Sequence, residues 1–203
     1  MAFSLSTFKN SLAGGGARPN LFRVDINGIL PGGNSLNADD NILIKAAQLP
    51  ESTIGLIEVP FRGRTFKVAG DRTFAPWTIT VINDENMRVR KIMEQWMQSI
   101  AQYQDASGDQ SPQTYMKEAI VTQLTRTPSN KGGTLGGGLT ETMKYKFHDI
   151  FPTNVSAIDL SYDSSDTIEE FTVEFQVQFW EPLNYPSEGN SAANTNINLS
   201  VTL

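Results

Sequence analysis

The sequence predicts a mainly β fold: a sandwich or barrel of about eight or nine strands in two packed antiparallel sheets, flanked by one helix near residues 84–101. Three observations carry this reading. First, Phe171, Val173, Phe175, Val177 and Phe179 alternate with Glu170, Thr172, Glu174, Gln176 and Gln178, the period of a strand with one buried face. Each large apolar side chain contributes about 1.5–3 kcal/mol when fully enclosed, and a slip of one residue would expose all of them. Second, residues 61–97 read as strand, turn, strand, helix. Phe66 and Val68 alternate with Thr65 and Lys67, Ala69-Gly70-Asp71 supplies a turn, and Trp77, Ile79 and Val81 alternate with Thr78 and Thr80. Third, Val89, Ile92, Met93, Trp96, Met97 and Ile100 recur at helical spacing, giving an apolar stripe that must lie on a sheet. Asn83 or Asp84 can cap that helix, and Glu85 suits its positive end.

The other elements follow in order. Leu5, Phe8 and Leu12 share one helical face after Ser4, and Gly14-Gly15-Gly16 ends the pattern. Phe22, Val24 and Ile26 form the first strand, opened by Pro19. Residues 29–40 read as an inserted surface loop, and residues 42–47 as a second strand ended by Leu49-Pro50. Ile54, Leu56, Ile57, Val59 and Phe61 fail to alternate around Gly55, the pattern of a bulge or of burial on both faces. Arg62-Gly63 then turns this strand into the next, forming a hairpin that projects. Residues 104–112 connect. Ala119, Val121 and Gln123 oppose Ile120, Thr122 and Leu124, while Met143, Tyr145 and Phe147 oppose a basic face of Lys144, Lys146 and His148. Ile150-Phe151-Pro152 breaks that strand, residues 155–160 form another, and Asp163-Ser164-Ser165-Asp166 is a turn. The glycine-rich residues 127–140 read as a mobile loop, and residues 182–203 as a polar extension, leaving 1–181 as one domain.

Composition narrows the chemistry. With 203 residues and 39% hydrophobic content the chain can bury one sizeable core. No run of about 18 apolar residues and no leader is present, so neither a membrane span nor a signal peptide is expected. The absence of cysteine removes thiolate and disulfide chemistry. A net charge of -6 argues against holding nucleic acid through its phosphates.

Candidate sites are weak. A nucleophile needs an imidazole neighbour, and only His148 is available, on a lysine-rich strand face. Asp163, Ser165, Thr167 and Glu169 lack the glycine and distal glutamate of a calcium loop. Residues 131–138 lack the Gly-Lys-Ser/Thr ending of a phosphate loop. Glu169 and Glu174 could serve a glycosidase only if a cleft brought them together. Trp77 and Trp96 sit on core-facing patterns, which leaves Trp180 as a poor sugar platform. No catalytic residue, metal ligand or cofactor site is expected.

The residues VAGDRTFAPWTITVINDEN, with Pro19-Asn20-Leu21-Phe22 upstream and Phe151-Pro152-Thr153-Asn154-Val155 and Phe179-Trp180-Glu181 downstream, closely resemble the tail tube family of contractile-tailed phages. The resemblance covers most of residues 17–181, interrupted by glycine- or serine-rich stretches. It implies a structural virion protein, not an enzyme, that forms hexameric rings stacked into the inner tail tube. One sheet of each subunit would join its neighbours around a lumen. That lumen would carry DNA in transit without tight binding, and the tube would meet tail sheath, baseplate and tape-measure proteins. The chain would be assembled in the host cytoplasm and reside in the virion tail, with no membrane partner. Closure across subunits also has a physical reason, because it removes exposed strand edges. Glu58, Arg64, Asp71 and Arg72 are the expected subunit-interface residues, although an exposed pair contributes only about 0–1 kcal/mol. Asp25, Glu58, Glu170 and Glu174 compete with Lys45, Lys67, Lys144 and Lys146 to line the lumen, and the net charge favours the acids. A type VI secretion-like tube and a carbohydrate-binding β-sandwich are the alternatives.

Overall fold

The computed structural model describes residues 4–12, 16–28, 30, 31, 33, 35–105, 107–128 and 139–183. Their elements are α1 (Leu5–Ser11), β1 (Phe22–Asn27), α2 (Ala38–Ile42), β2 (Ile44–Ala47), β3 (Ser52–Phe61), β4 (Arg64–Phe74), β5 (Trp77–Ile82), α3 (Arg88–Ile100), α4 (Pro112–Tyr115), β6 (Lys117–Pro128), β7 (Leu139–Val155), β8 (Glu170–Gln176) and β9 (Phe179–Pro182). The mainly β fold with antiparallel pairing is as expected. A seven-stranded sheet runs β1-β6-β7-β8-β5-β2, with β9 beside β7, and β3 and β4 make a separate two-stranded sheet.

The long strand β7 makes a sandwich out of the larger sheet. Its first part pairs with β6 and β9, and its last residues pair with β8. Between them Asp149 takes a positive φ of 54° and the register slips between Pro152 and Asn154. Such irregularities bend a strand and let it serve two layers. The break expected at Ile150-Phe151-Pro152 is therefore a corner, and the strand ends at Val155; residues 156–160 are irregular.

Side chains from both halves of the sheet meet in one core. Val24, Ile26, Val121 and Phe147 come from one half, and Ile79, Val81, Phe171, Val173 and Phe175 from the other. Trp77 on β5 stacks on Phe147 of β7 at 4.5 Å between ring centroids, and Trp77 lies 5.4 Å from Phe175. Helix α3 closes the side. Its buried Val89, Ile92, Met93 and Trp96 are members of the predicted stripe, and Trp96 approaches Phe175 at 5.9 Å. The helix begins at Arg88, not at Asp84, because residues 84–87 form a turn closed by the Met87 amide on the Asp84 carbonyl. Asp84 still caps: its carboxylate accepts the Arg88 amide at 2.7 Å.

Three further expectations change. Residues 69–71 do not turn the chain; β4 runs straight through them to Phe74. Gly70 is there for close approach: a Cβ would lie 3.1 Å from the Gly55 carbonyl oxygen across the bulge. Residues 38–42, expected in a surface loop and at the start of a strand, form α2 instead. Asn37 and Asp40 exchange side-chain and backbone hydrogen bonds at its start, and Leu30 upstream is 1% exposed in the core. Finally, Phe179 is not the fifth buried residue of β8. The strand is interrupted at Val177-Gln178, which flips the alternation, so Phe179 points out while Trp180 packs on the core. The glycine-rich residues 129–138 and the tail from 184 lie outside the described residues.

Candidate assembly surface

The residues considered for chemistry are spread over the fold. His148 stacks on Phe179 at 4.4 Å and its Nε2 lies 2.9 Å from Glu181, so the ring is taken up by packing and by that carboxylate. Glu169 accepts the Asn83 amide at 2.9 Å, and Trp77, Trp96 and Trp180 each donate their indole N–H to a backbone carbonyl, of Gln48, Tyr115 and Glu51 respectively. The indoles are tied into the fold. Among the described residues no group of three or more His, Asp or Glu is placed to hold a metal ion.

The feature that stands out is the β3–β4 hairpin. Its turn uses Arg62 at φ 44° and Gly63 at φ 80°, the two positive values of a tight hairpin turn matched to strand twist. The bulge expected at Gly55 is present, between Ile54 and Leu56. Ile57 pairs with Val68, Val59 with Phe66 and Phe61 with Arg64, which places Ile57, Val59, Phe61, Phe66 and Val68 on one face. All five are exposed, Phe66 by 66%. At its root the hairpin is anchored by Phe74, edge-on to Trp180 at 6.1 Å. Neither strand pairs with the seven-stranded sheet, so both outer edges carry free amides and carbonyls.

The four expected interface residues all lie on this hairpin but not together. Arg64 belongs to the apolar face, Phe61 being its partner, whereas Arg72 pairs with Ile54, which shares the beat of Glu58 on the opposite face. There Glu58 meets Lys67 at 3.8 Å, and Asp71 sits in the bulge across from Gly55. Among the described residues Arg64, Asp71 and Arg72 make no ion pair. The apolar face itself is what sequence reasoning missed, because a turn read at residues 69–71 and the broken alternation around Gly55 hide the register that puts these five side chains together. A signal was present: strands of 10 and 11 residues are about twice the usual length.

Charges on the solvent face of β1, β6, β7 and β9 interleave. Arg23 pairs with Asp25 at 2.8 Å and Glu141 at 3.1 Å, Lys144 with Glu141 at 2.7 Å, and Lys146 with Glu118 at 2.8 Å. Lys45 likewise pairs with Glu170. The guanidinium of Arg23 is held above its ordinary pKa by its hydrogen bond to Asp25, and Lys144 holds the Glu141 carboxyl below its ordinary value. Two pairs, Lys45–Glu170 and Lys67–Glu58, join an acidic to a basic lumen candidate, while Asp25, Lys144 and Lys146 pair with Arg23, Glu141 and Glu118 respectively.

Comparison with known proteins agrees with this arrangement. The phage tail tube protein family matches residues 17–182. The chain is 36% identical to tail tube protein gp19 of Enterobacteria phage T4 over 167 residues, covering 81% of this chain and 91% of that one. A tail tube protein of Serratia phage KSP90 is 26% identical, over 66% of this chain and 70% of that one. In fold, the chain is similar to a component of the sheath-tube complex of an extracellular contractile injection system, with a TM-score of 0.52, 14% identity, and 89% and 98% of the two chains covered. The sheath/tube terminator of the same kind of system gives a TM-score of 0.56 at 14% identity, over 83% and 97%. With its matched span, its identity to gp19 and its tube-like fold, this chain belongs to the phage tail tube protein family.

Proposed function

We propose that the subunit assembles into hexameric rings that stack as the inner tube of a contractile phage tail and conduct DNA. The observation that carries this reading is the β3–β4 hairpin. A two-stranded ribbon is marginal in water without a covering layer, and this one presents an apolar face and two free edges to solvent. A neighbouring subunit supplies what is missing. Edges β1 and β2 of the larger sheet are closed in the same way by adjacent copies, which removes the sites where strands would otherwise aggregate. Arg64 borders the apolar contact, and Glu58 and Arg72 lie on the other face of the ribbon.

The tube has sheath, baseplate and tape-measure proteins as partners, is assembled in the host cytoplasm and ends in the virion. Residues 1–181 are the tube domain, with insertions near 29–40 and 127–140, and 182–203 extend from it. The lumen is polar and mildly acidic, so DNA passes without being held: retention at every ring would add up through phosphate contacts. Support comes from the -6 net charge and from the paired charges of the solvent face. Electron microscopy of the purified chain tests the assembly, with hollow six-fold tubes expected and monomers at high concentration the contrary result. Short DNA equilibrated with open tubes tests the lumen: salt-sensitive retention inside would overturn the acidic lumen and leave the tube intact.

A further inference from the structure

Two exposed apolar clusters outside the hairpin match each other. Helix α1 turns Leu5, Phe8 and Leu12 to solvent, 67%, 63% and 45% exposed. Seven residues are too few for a stable helix in water on propensity alone, so the segment needs a surface. The loop between β7 and β8 offers one: a groove of about 570 Å³ lined by Ile158, Leu160, Tyr162 and Ile168, of which the last three are largely exposed. Charge selects the pairing. Residues 1–18 contain Lys9 and Arg18 and no acid, whereas residues 156–170 contain Asp159, Asp163, Asp166, Glu169 and Glu170 and no cation.

We propose that α1 of one copy seats Leu5, Phe8 and Leu12 in the groove of residues 158–170 on a second copy, oriented by the opposite charges of the two segments. The contact rests on the tube reading and adds a second subunit joint, independent of the hairpin. It is tested by disulfide trapping, since the chain has no cysteine of its own. Phe8→Cys chains and Leu160→Cys chains are mixed, assembled and oxidised; a bond forms only if the Cα atoms come within about 7 Å. The expected result is a disulfide-linked dimer in the mixture, absent when Leu160→Cys is replaced by Gln98→Cys on the outer face of α3. Because charge orients the contact, its yield falls several-fold between low and molar salt. Leu5→Cys repeats the test should Phe8→Cys impair folding. Intact tubes with no more dimer than the control overturn the docking alone, as does bonding confined within single chains carrying both cysteines. A wild-type chain that never assembles overturns the tube reading and the docking with it.

Discussion

Phe66 and Phe175 occupy the same kind of position, the apolar beat of a regularly alternating strand, and have opposite environments. Phe175 is fully enclosed, while Phe66 is 66% exposed. Around Phe175 the chain supplies its own partners: Trp77 on the neighbouring strand and Trp96 on α3. Around Phe66 it supplies only the ribbon's other strand, through Val59. Alternation therefore states that a face seeks cover, and says nothing about whose chain provides it. In the seven-stranded sheet the cover is internal, and in the hairpin the subunit does not supply it, which is the basis of the proposed assembly contact.

The largest effect tests the internal half of this contrast. Phe175→Asp buries an unpaired carboxylate, which costs several kcal/mol against a total domain stability of about 5–15 kcal/mol. Loss of soluble folded protein is expected, and a normal yield with unchanged thermal melting would show that β8 is not the core strand described. Phe66→Asp places the same change on the hairpin. There the expected shift in monomer stability is within about 0.5 kcal/mol, with tube formation abolished. Tubes of normal length from this variant would remove the hairpin from the assembly contact.

Legibility in the sequence follows the same division. β1, β5, β6 and the stripe of α3 were readable because apolar periodicity there meets a partner within the subunit. Asp84 was readable as a cap, yet the helix start moved because Met87 adopts a left-handed φ of 51°, which no periodicity encodes. Gly70 looked like a turn residue and serves instead as the space into which Gly55 fits; only the pairing register distinguishes the two. Glu58, Arg64, Asp71 and Arg72, expected at an interface for their charges, share the hairpin with an apolar face that reads in sequence like core.

Phe179 lies between the two extremes and sharpens the comparison. The interruption at Val177-Gln178 turns it outward, 42% exposed, onto the His148 ring. Phe179→Ala is expected to cost about 1 kcal/mol, the scale of a partly exposed aromatic pair, and to leave tube length unchanged. A loss of several kcal/mol in a melting experiment would mean that β9 continues the buried face of β8 after all.

The smallest effect concerns the polar faces, where the two regions also differ. Glu141 is held by Lys144 and Arg23, with Lys144 the main cause of its lowered pKa, whereas Arg64 and Arg72 on the hairpin have no acidic partner among the described residues. A carboxyl with a depressed folded-state pKa adds stability above its unfolded value, about 4.3 for a glutamate, and that stability is lost as pH falls through the lower folded value. Because the pair is near the surface, the contribution is discounted to about 1 kcal/mol or less. Glu141→Gln should therefore melt slightly below wild type at pH 7, with the gap closing as both proteins are taken to acid. Arg72→Ala should show no such gap in the unassembled subunit at any pH. If instead the Glu141→Gln difference stays constant down to pH 3, the ion pair is not its origin, and the charged face of β7 is as loosely held as that of the hairpin.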